Sequence, residues 1–127
     1  MRIRNLFRRD KSTTPIQVLA IEFLDEQRGP VEEELKQRWT AYFRTELSVS
    51  KAYLVRARYD NSGVTHVALC IEATDQNRQQ IVRQTTGVFH EMFNRSQSLD
   101  VVFLRPDQEQ RVASVSKPFY FQQPRQA

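Results

Sequence analysis

The stretch that most constrains the fold is the middle of the chain, where a strand with a two-residue period runs into a short turn and comes back. Lys51 to Asp60 alternates, with Tyr53, Val55, Ala57 and Tyr59 on one side and Leu54, Arg56 and Arg58 on the other. Successive side chains of an extended strand point to opposite faces, so the pattern belongs in a sheet. Asn61-Ser62-Gly63 forms a short hairpin connection of favoured turn residues. The return strand, Val64 to Ala73, places Val67, Leu69 and Ile71 on one face and His66, Ala68, Cys70 and Glu72 on the other.

A strand–helix pair is predicted on each side of this hairpin. Ile16 to Leu24 reads as a strand that is apolar on both faces for much of its length, which places it centrally in the sheet. Asp25 to Pro30 breaks it, and Pro30 suits the first turn of a helix. Glu32, Glu33 and Glu34 fall where the helix dipole favours acids. Val31, Leu35, Trp39, Tyr42 and Phe43 recur at helical spacing, predicting a helix over 30–46. Thr74 or Asp75 is the expected cap of a second helix, whose stripe is Ile81, Thr85, Val88, Phe89, Met92 and Phe93. Leu99 to Leu104 is a further strand, Asp107 to Val115 a short helix, and Lys117 to Phe121 closes the fold. The expected fold is α+β: a two-layer, ferredoxin-like βαββαβ sandwich with an antiparallel sheet and a C-terminal extension. It occupies 15–121, between a flexible basic leader over 1–14 and a flexible tail over 122–127.

The chain has 127 residues and a formal net charge of +4. Arg2, Arg4, Arg8, Arg9 and Lys11 against Asp10 account for all of that excess, so the folded body is formally neutral. Nucleic acid is therefore an expected partner only of the leader. The element order is shared with a common RNA-binding module that stacks bases on aromatics of its central strands. Val64 to Ala73 has no aromatic residue, which weighs against that reading. No segment has the length and apolarity of a signal peptide or a membrane span. With one cysteine, a disulfide framework is excluded, and the expected compartment is the cytoplasm.

Two helices cover one face of such a sheet, so the opposite face is the candidate for interaction. Val18, Ala20, Leu54, Ala68, Cys70, Val102 and Leu104 are expected there, ringed by Arg56, Arg58, His66 and Glu72. An apolar face of this kind has something lying on it. Either Phe119, Tyr120 and Phe121 fold back over it, or a second protein chain does, whether a different protein or an identical copy. The turn holding Asp25, Arg28 and Gly29 is a second candidate, for a small ligand, because helix N-termini hold carboxylates. ACT domains bind amino acids near such a turn. Pro30 removes one donor there, and the three glutamates repel an anion.

No catalytic constellation stands out. Cys70 has His66 four residues away on the same strand, roughly 13 Å along an extended chain and too far for a hydrogen bond. His90-Glu91 lacks the second histidine that a zinc helix requires. No catalytic residue, metal or cofactor is expected, and the chain reads as a non-enzymatic protein-binding module.

Several short segments together resemble the C-terminal domain of the bacterial enhanced serine sensitivity (SseB) family. They are Ala52-Tyr53-Leu54, His66 through Glu72, Leu99 through Leu104, and Pro118-Phe119-Tyr120. The resemblance covers about 48–121, more loosely from 30. A basic leader stands where that family usually has a separate N-terminal domain. The resemblance implies a bacterial cytoplasmic protein with no established enzyme activity, and it brings no catalytic motif with it.

Overall fold

A computed structural model describes residues 3–5, 21–59, 63–93 and 98–122, the first of these as backbone. Its elements are β1 (Ile3–Asn5), β2 (Ile21–Glu26), α1 (Pro30–Phe43), β3 (Val49–Tyr59), β4 (His66–Ala73), α2 (Arg78–Met92), β5 (Leu99–Phe103), α3 (Pro106–Ala113) and β6 (Tyr120–Phe121). The strands run β1-β5-β4-β3-β2 across one mixed sheet, with β6 also paired to β3. β3 pairs antiparallel with β2, β4 and β6, whereas β5 is parallel to β4 and β1.

The α+β class holds, but the ferredoxin-like order does not. That order needs the first strand of the body inserted between the two strands that here are β4 and β5. These pair directly, Ala68 opposite Asp100 and Cys70 opposite Val102, and leave no slot. β2 therefore takes the free edge of β3, at the end of the sheet rather than in its centre. It shares that edge with β6: β2 lies beside Val55–Tyr59, and β6 beside Lys51 and Ala52. β1 falls within the stretch expected to be a leader; the rest of 1–14, and residues 60–62 of the hairpin connection, lie outside the described residues.

Two apolar clusters lie on opposite faces of the sheet. On one, Leu35, Trp39 and Phe43 of α1 and Ile81 and Phe89 of α2 meet Ala52, Leu54, Leu69, Ile71, Val101 and Phe103. Trp39 is fully buried and donates its indole N–H to the Thr85 carbonyl at 2.9 Å, joining the two helices. Phe119 and Tyr120 pack into this same cluster, against Trp39 and Phe43, not onto the opposite face. On the other face, Ile21, Phe23, Tyr53, Val55, Ala57, Tyr59, Ala68, Cys70 and Val102 pack with Leu104, Val112 and Val115. The short helix α3 thus lies on the side that α1 and α2 leave open.

The second helix starts later than the sequence suggests. Its N-cap is Asn77, in the left-handed region at φ 62°, not Thr74 or Asp75. Asparagine tolerates that conformation better than most residues. The Asn77 side chain reaches Glu46 at 3.2 Å, which also accepts from the hydroxyls of Ser48 and Tyr42. This knot ties the end of α1 to the start of α2. Burial pushes the Tyr42 hydroxyl up to about 12.

Candidate interaction site

The expected interaction face divides into parts that the structure treats differently. Ala68, Cys70, Val102 and Leu104 do share the face opposite α1 and α2, but they are buried within the chain rather than open to a partner. Leu54 is on the helix face, in the core between sheet and helices. The two-residue alternation groups Tyr53, Val55, Ala57 and Tyr59 correctly; it does not say which face receives them. Both faces of β3 are buried from Ala52 to Val55, so burial does not decide it either. Val18 and Ala20 lie outside the described residues.

Arg56 and Arg58 share the Leu54 side of β3 and do not rim the opposite face. Each is paired to the neighbouring edge strand: Arg56 to Asp25 through two bonds of 2.6 Å, and Arg58 to Glu22 at 2.6 Å. A register shift between Phe23 and Asp25 brings Asp25 opposite Arg56. The bond to Arg56 holds the Asp25 carboxyl below its ordinary range.

His66 is on the expected face, where it meets two residues that sequence reasoning passed over. Asp100 of β5 is 2% exposed. It accepts the Tyr59 hydroxyl at 2.6 Å and has the His66 Nδ1 at 3.8 Å. The signal for it was present: one acid inside the apolar run Leu99-Asp100-Val101-Val102. Cys70 lies on the same face, and burial, with the Asp100 charge added, pushes its thiol well above the ordinary thiol range. That environment suits packing and opposes nucleophilic chemistry.

The turn at Asp25, Arg28 and Gly29 is filled by its own chain. Glu32 folds back toward it, accepting a hydrogen bond from Gln27 Nε2 at 2.8 Å. Asp25 is committed to Arg56, and Arg28 sits 3.6 Å from Glu26. The helix N-terminus expected to hold a ligand carboxylate thus has a carboxylate of its own beside it.

A different surface brings exposed apolar groups together. Leu47, between α1 and β3, is 66% exposed, and Phe121 of β6 is 52% exposed. Gln122 continues the pairing of β6 with its N–H on the Ser50 carbonyl at 2.8 Å. Its side chain donates to the Leu47 carbonyl at 3.2 Å, so both apolar residues sit at one end of the sheet. Among the described residues β6 has a strand on one side only. The sequence shows Phe121 as an aromatic of the closing segment; only the pairing shows that it faces solvent.

The SseB protein C-terminal domain family matches residues 26–122 of the chain. The chain belongs to that family. No curated protein and no solved structure matches it. The span matched as an SseB C-terminal domain includes all of β6 and Leu47, and it begins at the last residue of β2. The candidate edge is therefore part of the SseB domain itself. Among the described residues of this SseB domain, no helix is long and apolar enough to cross a membrane.

Proposed function

We propose that this SseB C-terminal domain is a non-enzymatic protein-binding module, acting in the cytoplasm as one domain over 15–121, and that its partner docks on the edge formed by β6. One observation carries the reading: Leu47 and Phe121, two large apolar side chains, stand in solvent at the same end of the sheet. Grouped exposed apolar residues mark interaction surfaces. A strand edge without a neighbour can add a strand from another chain, with the backbone supplying affinity and side-chain positions supplying specificity. This moves the interface away from the buried outer face of the sheet.

A photo-reactive phenylalanine analogue at position 121 tests the proposal in cells that make the protein, with position 31 as an exposed apolar control. The expected result is one defined protein, identified by mass spectrometry, joined at 121 and not at 31. Leu47→Asp should abolish the product. Equal labelling at both positions, or labelling untouched by Leu47→Asp, overturns the assignment.

A further inference from the structure

Given a binding edge at β6, the charges around it name the chemistry of what binds. Among the lysines and arginines whose side chains are described, Arg44, Arg83 and Lys117 have no ion pair; each of the others has one. All three are exposed. Arg83 stands on α2, which has no exposed large apolar residue. The other two flank β6. Lys117 precedes it on the same segment. Arg44 is the C-cap of α1 and lines a cleft of about 240 Å³ with Phe119, Thr40 and Lys36.

Of the acids around the edge, Glu72 on β4 accepts from the Ser50 hydroxyl at 2.7 Å, and three more are held by other groups of the chain. Glu46 is buried in its knot with Tyr42, Ser48 and Asn77. Glu109 is held by Tyr53 and Lys51, at 2.7 and 3.2 Å. Glu33, on the wall of the cleft, is 3.4 Å from Lys36, which also holds Glu26. The edge thus presents two uncompensated positive charges beside two exposed apolar side chains.

We propose, on the reading of β6 as a binding edge, that it takes an extended segment of a different protein in which acidic and apolar residues alternate. The segment's backbone pairs with the free side of β6. Its apolar side chains lie on Leu47 and Phe121, and its carboxylates reach Arg44 and Lys117. Alternation follows from strand geometry, since neighbouring side chains face opposite ways. Charge excludes the nearest competitors. The basic stretch Arg2, Arg4, Arg8, Arg9 and Lys11 of the chain itself has the wrong sign, and residues 123–127 carry Arg125 and no acid. A second copy set edge to edge would bring the same two positive charges to the shared seam with no acid of its own to meet them, and uncompensated like charge selects against a partner.

A phage-displayed library of short random peptides, selected in parallel on the full chain and on its Phe121→Asp variant, tests this. Peptides recovered on the natural chain and lost on the variant should alternate Asp or Glu with Leu, Ile, Val, Phe or Tyr. A synthetic copy should bind the Arg44→Glu, Lys117→Glu double variant about tenfold or more weakly, and Lys in place of its acids should restore binding. Phe121-dependent peptides without acids, or with affinity indifferent to the double variant, overturn the acidic partner and leave the edge standing. A dimer in light scattering that Phe121→Asp dissociates does the same. If Phe121→Asp costs no peptide its binding, the edge itself falls with the inference.

Discussion

Tyr59 of β3 donates its hydroxyl to the Asp100 carboxylate of β5 at 2.6 Å, reaching across β4, which lies between them. The bond places a charged acceptor deep in an apolar face and gives it a donor from two strands away. Buried acids persist where donors meet them, and the cost of removing one donor exceeds the gain of an average hydrogen bond.

Tyr59→Phe is therefore expected to destabilise the domain by about 1.5–3 kcal/mol, the range for hydrogen bonds to charged groups. Urea unfolding reads this as a lower midpoint at unchanged slope. A midpoint equal to that of the natural chain would show that the hydroxyl contributes nothing.

Glu109 gives a pH-dependent prediction. The bond from Tyr53 is the main reason its carboxyl titrates below its ordinary range, with Lys51 adding to it. The folded value is thus below the unfolded one. Its contribution to stability is present above the unfolded value and is lost as pH falls through the folded one. Thermal melts of the natural chain and Glu109→Gln should differ at neutral pH, begin to converge below about pH 4 and meet once the pH is under the folded value. A gap that persists there removes the carboxylate from the account of how α3 is held.

Cys70 should not react with a thiol reagent in the folded protein. It is fully buried, and its thiol is raised above the ordinary range by that burial. Labelling is expected to follow global unfolding, with the rate rising in denaturant alongside the loss of circular dichroism. Rapid labelling in buffer would mean that the outer face opens on its own.

Gly29 caps α1 at φ 147° and ψ 167°, a backbone region that only glycine enters readily. A Cβ there also runs into the Glu32 carboxylate. Gly29→Ala should cost about 1–3 kcal/mol, and Glu32→Ala in the same chain should recover only the steric part. An alanine variant as stable as the natural chain would contradict this backbone conformation.

Much of the element list was legible before the structure, because periodicity is local. The stripe from Leu35 to Phe43 makes α1, the alternation from Tyr53 to Tyr59 makes β3, and the short helix expected over 107–115 is α3, one residue earlier at its start. What stayed hidden was relational. Whether Leu54 or Tyr53 faces the helices depends on what covers each side, and α3 covers the side that two helices alone would leave bare. Arg56 and Arg58 looked like a rim around that side; they lie on the other one, and Asp25 and Glu22 of the adjacent strand neutralise them. The apolar length of the first long strand pointed to the middle of the sheet. Its true place was set by β4 and β5 meeting directly. The β6 edge was hardest to foresee, since Phe119, Tyr120 and Phe121 look alike in sequence and only pairing with Lys51 and Ala52 sends two of them inward and one out.

The longest strand has one flank shared end to end by segments from far apart in the chain, β2 along its second half and β6 along its first. They touch different residues of it, and the C-terminal one is also anchored by Tyr120, buried against Phe43. Position along the longest strand thus decides which distant segment a backbone change disturbs: near Ala52 the C-terminal one, near Ala57 the one ahead of α1.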